Sequence, residues 1–245
     1  MDPLKKIIEG KCLPWIDRFI KLTGKGIDRF NLAADDDILI GISGGKDSLS
    51  LALGLRMLQK FHKKKFRLSA LHIDWEEYPS SDKQKDNLNR YFNTLEIPFR
   101  IETYSMFSGK ADKDFSCYFC SRNRKLLVFK LAEESSIRKI AFGHHLDDHI
   151  ETSLMNLFFR GKLDPMQPKS LFFERKIEVI RPLCLVPEYV TKKLSDFLAM
   201  PLLEIDCPYK ETNLRIHIKP LINQLYGLNK HIRQHIFEAY DNLYE

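Results

Sequence analysis

An apolar stretch, Ile38 to Ile42, runs into Ser43-Gly44-Gly45-Lys46-Asp47-Ser48 and then into an apolar-periodic segment, Leu49 to Leu58. This reads as strand, tight glycine turn and helix, and it commits the chain to an α/β unit. Such a turn aims backbone N–H groups at an anion resting on the helix N-terminus. Two adjacent glycines let the backbone come close, because no Cβ intervenes. Lys46 adds a positive charge for phosphate, and the Ser43 and Ser48 hydroxyls add donors. The alternative, an ordinary β-turn capped by Asp47 or Ser48, is disfavoured by strand and helix both being in place. The run is not a GxxxxGK[ST] phosphate loop, because Asp47 follows the lysine where that motif needs Ser or Thr. An acid in a phosphate site is costly unless a cation offsets it, so Asp47 points to Mg²⁺ bridging carboxylate and phosphate.

The 245 residues make one large or two small domains, enough for a sizeable core. No apolar run approaches the roughly 20 residues of a membrane span. The start, Met1-Asp2-Pro3-Leu4-Lys5-Lys6, lacks the apolar core of a signal peptide. The expectation is a cytoplasmic protein without a membrane partner. Five cysteines (12, 117, 120, 184 and 207) are few and odd in number. In a reducing compartment that favours metal or redox chemistry for clustered ones over disulfides. The net charge of +6 would suit a polyanionic partner. Basic residues cluster at Arg56, Lys60, Lys63, Lys64, Lys65 and Arg67, and again at Arg122, Arg124, Lys125 and Lys130. A solvated face explains either cluster from charge alone; the second gains weight from lying beside a CxxC.

Along the chain, residues 1–30 read as a helical segment that Pro14 interrupts. Strands are expected at 36–42, 67–73, 98–104 and 139–143, with helices at 47–62, 82–95, 121–135 and 146–160. Short strands at 172–173 and 177–180 lie around a turn, then come a helix at 187–199, a last strand at 202–205 and a helical tail from about 219. Strands alternating with helices imply βαβ units and a parallel sheet, hence an α/β fold. The division is a helical segment, 1–30, a nucleotide-binding domain, 31–206, and a C-terminal segment, 207–245. Ligands on such sheets bind at the carboxyl ends of strands near a topological switch point. The glycine turn, His72 to Asp74 and Gly143 to Asp148 all lie at carboxyl ends and should converge on one crevice.

Cys117-Tyr118-Phe119-Cys120 at a loop–helix junction places two sulfurs on one ion or cluster, or forms a redox pair. A thioredoxin-like dithiol, a zinc site completed by Cys207 and a histidine, and an iron–sulfur cluster on three cysteines all stay open on spacing alone. Cys12 and Cys184 read as plain buried residues. Gly143-His144-His145-Leu146-Asp147-Asp148-His149 is dense in ionisable groups. Its glycine at a strand end, followed by acids at a helix N-terminus, reads as a second nucleotide-contacting turn. Capping explains one of the two aspartates; Asp147 is taken as the cap and Asp148 as the functional acid. Arg160-Gly161-Lys162 reads as a helix C-cap whose lysine could reach a phosphate. Arg181 stands at a strand end, where it could grip phosphate or RNA or simply face solvent.

Taken together, these segments resemble the tRNA 2-thiolation branch of the PP-loop ATP pyrophosphatases, and most closely the TtcA-type 2-thiocytidine synthetases. The resemblance covers roughly residues 30–220 and rests on SGGKDS at 43–48, CYFC at 117–120, GHHLDDHIET at 143–152, FFRGKLDPMQPK at 158–169, VIRPL at 179–183, and Cys207 followed by Asn213-Leu214-Arg215. It implies an adenine-nucleotide hydrolase-like fold, and an enzyme that adenylates a pyrimidine carbonyl oxygen in tRNA and replaces it with sulfur. It implies ATP, Mg²⁺ and a [4Fe-4S] cluster as cofactors, the cluster on Cys117, Cys120 and Cys207. Ser43, Gly44, Gly45, Lys46, Asp47, Ser48 and Gly143 would surround the nucleotide. Asp47 and Asp148 would hold Mg²⁺ or orient phosphates, and His72 would lie by the adenine through its backbone. Arg124 or Lys125 would face substrate or ATP. The implied partners are tRNA and a sulfur donor, either a cysteine desulfurase or sulfide. The apolar tail residues can pack on the domain or on a second subunit, which leaves a homodimer open. Such relatives often carry a second CxxC, whereas here Cys207-Pro208-Tyr209-Lys210 has lysine at that place. A lysidine synthetase-like ligase and a zinc-stabilised RNA-binding module are the rival readings.

Overall fold

The computed structural model describes residues 3–62, 64–107, 117–162, 164–204 and 215–239. Two helices open the chain, α1 (Pro3–Ile8) and α2 (Pro14–Arg29), with Pro14 in the first turn of α2, where its missing N–H costs nothing. Then come β1 (Asp37–Ile42), α3 (Lys46–Phe61), β2 (Arg67–Trp75), α4 (Asp82–Leu95) and β3 (Phe99–Tyr104). They are followed by α5 (Cys117–Glu134), β4 (Lys139–Ala141), α6 (Leu146–Arg160), β5 (Lys169–Phe172), β6 (Ile177–Ile180) and α7 (Glu188–Leu198). Two further helices, α8 (Arg215–Leu228) and α9 (Ile232–Glu238), end the described chain.

The six strands form one sheet in the order β3-β2-β1-β4-β6-β5. Five are parallel, and β5 runs antiparallel to β6 as the far edge of a hairpin. The order reverses between β1 and β4, so the crevice expected of an open α/β sheet lies at their carboxyl ends. A sheet covered on both faces needs strands that are apolar throughout. Strand β1 shows this: Ile38, Ile40 and Ile42 enter the core shared with α1 to α4 and α7, while Leu39 enters the opposite core with Val128, Phe129 and Leu131 of α5. Each such fully buried side chain stabilises the fold by roughly 1.5–3 kcal/mol over an exposed one.

Two expectations are corrected. Residues 201–204 form no strand; the Leu203 N–H is instead spent on the Gly44 carbonyl, 3.0 Å away, so the segment lies along the glycine turn rather than on the sheet. Helix α5 starts at Cys117 rather than at 121, which puts both cysteines of the CxxC in its first turn. Among the described residues no helix is long and apolar enough to cross a membrane.

Candidate active site

The turn after β1 is closed by its own serines. Ser48 Oγ donates to the Gly45 carbonyl at 2.9 Å and accepts from the Ser43 N–H at 3.3 Å, and the Gly45 N–H is taken by Ser43 Oγ at 3.3 Å. Both hydroxyls therefore shape the loop. Gly44 sits at φ +82°, in the left-handed region, and a Cβ there would stand 2.5 Å from Leu203. No side chain caps α3 at Gly45, so its first-turn amides are presented to an anion at the crevice. The opposite wall is as close: a Cβ on Gly143 would lie 2.7 Å from the Asp47 carbonyl carbon and 2.8 Å from the Ser48 nitrogen. The glycine that ends the β4 segment thus lets the first turn of α3 lie directly against it.

Charged side chains converge here from five elements. Lys46 Nζ lies 2.9 Å from Asp47 Oδ2 and 3.1 Å from Glu188 Oε1. Burial works against the Lys46 ammonium, but Asp47 and Glu188 outweigh it and hold its pKa above the ordinary lysine value. Thr191 Oγ1 donates to Asp47 Oδ1 at 2.6 Å, and His145 Nε2 is 3.8 Å from the same oxygen. Glu188, at the start of α7, also takes Lys219 of α8 at 2.9 Å, and its N–H donates to Asp147 Oδ2 at 2.7 Å. Burial opposes the Glu188 charge, yet Lys219 and Lys46 keep its pKa below the usual carboxylate value. Arg233 of α9 meets Asp147 Oδ1 at 2.7 Å.

The two aspartates of α6 exchange the capping roles assigned from sequence. Asp148 forms a capping box with His145: its Oδ2 accepts the His145 N–H at 2.9 Å while the Asp148 N–H donates to His145 Nδ1 at 3.3 Å. Asp147 instead ties α6 to α7 and α9. The helix starts at Leu146, as expected, but the capping box needs the residue at N3, which is Asp148, and a histidine rather than a Ser or Thr fills the N-cap. Asp148 still stands at the crevice, on the same turn as the His145 ring that approaches Asp47.

His72 lies under the crevice, fully buried, with Nδ1 2.9 Å from the Ile42 carbonyl. Burial lowers its pKa, its ring faces protein, and its residue is paired with Ile42 on one side and Ile101 on the other in the sheet. Arg124 lies with its guanidinium 5.4 Å from the centre of the Trp75 ring at the end of β2. Lys125 is directed elsewhere, 4.1 Å above the Phe172 ring, so of the two Arg124 is nearer the strand ends. Arg181 is buried: it donates to Ser170 Oγ at 3.0 Å and to the Gln167 carbonyl, and burial lowers its pKa to about 10. It braces the β5 hairpin and is not open to solvent. Gly161 adopts the left-handed C-cap expected of it, at φ 62°.

Cys117 and Cys120 are half-buried on one turn of α5. Residues three apart share a helix face, so the pair suits two ligands of one metal or cluster; Cys207 lies outside the described residues. Arg124 over Trp75, the last residue of β2, places the start of α5 at the carboxyl edge of the sheet, as the glycine turn is. The Asn123 amide bonded to the Met106 carbonyl at 3.1 Å secures that position. Sequence reasoning missed Glu188, Thr191, Lys219 and Arg233. None carries a local motif, and only the fold brings them to Lys46 and Asp147.

A glycine turn with uncapped helix amides, facing a second glycine across the switch point of a parallel sheet, defines a nucleotide-binding α/β domain of the PP-loop class. The PP-loop domain family model matches residues 19–200. A tRNA-cytidine(32) 2-sulfurtransferase of Acaryochloris marina is 37% identical over 207 residues, covering 82% of this chain and 72% of the relative. The enzyme of that name from Francisella tularensis subsp. novicida is 33% identical over 238 residues, covering 92% and 86%. The structure of U34-tRNA thiolase NcsA from Methanococcus maripaludis with its [4Fe-4S] cluster superposes with a TM-score of 0.76 at 23% identity, over 94% of this chain and 78% of that one; it supports the fold. The chain belongs to the PP-loop family and, within it, to that of the tRNA-cytidine(32) 2-sulfurtransferases.

Proposed function

We propose that the chain is an ATP-dependent tRNA 2-thiolating enzyme that converts a cytidine, position 32 by the name of its relatives, to 2-thiocytidine. One observation carries the reading: the phosphate-binding turn, the Gly143 turn and the CxxC-bearing start of α5 share the carboxyl edge of one sheet. In the proposed reaction the cytosine O2 attacks the α-phosphorus of ATP and pyrophosphate leaves. A sulfur nucleophile then attacks C2, and AMP departs with the original oxygen. Oxide is a poor leaving group and AMP a good one, which is the reason for spending ATP.

In this scheme Lys46 and the α3 amides bind the departing pyrophosphate, stabilising charge where it develops. Ser43 and Ser48 hold the turn in shape, while Gly44, Gly45 and Gly143 keep side chains out of it. Asp47 and Asp148 hold Mg²⁺, with Asp148 also fixing the His145 turn. The backbone at His72 borders the adenine, and Arg124 orients the nucleotide or the base. Cys117, Cys120 and Cys207 would hold a [4Fe-4S] cluster, which when bound would supply iron to carry the incoming sulfur. The donor is sulfide or a cysteine desulfurase, and the compartment is the cytoplasm. The target base must be single-stranded or flipped to be reached, as in an anticodon loop. Residues 31–206 act as the catalytic domain, with 1–30 as its helical brace and 207–245 bringing the third cysteine. A homodimer would form through exposed apolar residues of α8, such as Leu225 and Leu228.

The test is anaerobic purification, iron and sulfide analysis, and then incubation with ATP, sulfide and tRNA, reading 2-thiocytidine by mass spectrometry of digested nucleosides. About four irons per chain, 2-thiocytidine formed, and loss of both in the Cys117→Ala, Cys120→Ala, Cys207→Ala variant would support the assignment. Zinc in place of iron, or ATP consumed without any thionucleoside, would overturn it.

A further inference from the structure

Lys46, the lysine of the phosphate turn, is already engaged by a carboxylate from across the molecule. Glu188 Oε1 lies 3.1 Å from its Nζ, and this oxygen stands where it competes with phosphate for the same ammonium. A bare carboxylate there would repel ATP. Glu188 is not bare: Lys219 donates to both its oxygens, at 3.0 and 2.9 Å. The other groups facing these charges are Asp47 Oδ2, 2.9 Å from Lys46 Nζ, His145 Nε2, 3.9 Å from Glu188 Oε1, and Glu151 Oε1, 3.7 Å from Lys219 Nζ. The side chains of Lys46, Glu188 and Lys219 are only partly exposed, at 24, 31 and 44%, so their interactions are less screened than on an open surface.

We infer that Lys219 is a positioning residue for nucleotide binding: by holding Glu188 it frees Lys46 to pass from Glu188 to the phosphates of ATP. The inference rests on the reading of the turn as an ATP site. Lys219 belongs to α8, beyond the residues matched by the family model, so the C-terminal helices complete a site built by the sheet. Glu188 is the switch partner. In the structure it shares Lys46 with Asp47, and on ATP binding it gives up Lys46 and stays on Lys219. The N-terminus of α7, on which Glu188 sits, also favours its negative charge.

ATP dissociation constants from calorimetry on the full chain test this through a double-mutant cycle. Lys219→Met should weaken ATP binding about tenfold, because Glu188 is left uncompensated beside Lys46. Glu188→Gln should leave affinity unchanged or raise it about threefold, because a competitor is lost. The double variant should return to within about twofold of the native protein, and Lys219→Arg should bind as the native protein does. A role for Lys219 confined to neutralising Glu151 predicts no rescue in the double variant, and that result overturns the inference. Weaker binding in Glu188→Gln would make Glu188 a ligand-facing group and overturn it equally. Lys46→Met separates the two levels: normal ATP binding in that variant refutes the ATP-site reading itself. Loss of binding there, with additive effects in the cycle, refutes only the role of Lys219. Thermal unfolding of each variant identifies any that fail to fold.

Discussion

At the scale of single residues, the site separates groups that face the crevice from groups that hold it up. His149 is of the second kind. It follows Asp148, is 1% exposed, and places Nδ1 2.5 Å from the Met166 carbonyl. Burial, then the nearby Arg181 charge, depress its pKa to about 4 from 6.5. The consequence for stability has a definite sign. Above pH 6.5 the imidazole is neutral in both folded and unfolded chains. Between pH 6.5 and 4 the unfolded chain binds a proton that the folded one refuses, so stability falls as the pH falls. At pH 5 the loss from this group is about 2 kcal/mol relative to pH 7. Denaturant unfolding of the native protein and of His149→Gln at both pH values checks it. The stability gap between the two should move by that amount toward the variant at pH 5. A gap independent of pH would show that His149 does not titrate against burial.

At the scale of elements, the decisive contact is between the end of β4 and the start of α3. A methyl on Gly143 would meet backbone, the Asp47 carbonyl carbon at 2.7 Å and its oxygen at 2.8 Å, and backbone cannot rotate away as a side chain can. Gly143→Ala should therefore lower stability by about 1–3 kcal/mol, in the range of overpacked cores. It should also weaken ATP binding more than that loss alone implies, because the strain falls on the first turn of α3. Calorimetric melting beside ATP titration measures both, and a variant of native affinity would dissociate the Gly143 turn from the nucleotide site. Much of this framework was legible beforehand. The glycine pair at 44–45, the strand-to-helix alternation and the 82–95 and 146–160 helices depend on local patterns, and β1 announces its double burial by its apolar run from Ile38 to Ile42. What escaped depended on partners distant in sequence. Leu202 and Leu203 look like a strand because they are apolar, yet the acceptor that Leu203 meets is the Gly44 carbonyl and not a sheet edge. The β5–β6 hairpin, by contrast, is local: a short turn, 173–176, joins the two strands, so they pair antiparallel, and only a long crossover returns a strand parallel. Glu188 and Lys219 carry no motif at all, since a salt bridge between α7 and α8 leaves no trace in either helix's own periodicity.

At the scale of the whole molecule, stability is unevenly distributed. Two large apolar clusters flank the sheet and contain nearly every buried hydrophobic residue from Leu4 to Met200. The C-terminal helices add a third, small one: Ile218 and Ile222 of α8 against Ile150 of α6, with no buried residue in α9. Pro220 inside α8 also removes one backbone donor from that helix. Besides this small cluster, which Ile236 of α9 joins, and Phe237 against Phe30 and His149, what holds α8 and α9 to the body is ionic, through Lys219 to Glu188 and Arg233 to Asp147. Partly exposed ion pairs contribute little each and weaken with salt. Segments with few buried apolar contacts open without global unfolding. Hydrogen exchange should accordingly show the amides of α8 and α9 exchanging at least about a hundredfold faster than those of β1 and β4. Raising the ionic strength should speed exchange in the two helices and leave the sheet unchanged. If α8 and α9 instead exchange at the rate of β1, at low and high salt alike, they open only with the whole domain. The ionic contacts to Glu188 and Asp147 would then not be what fastens them.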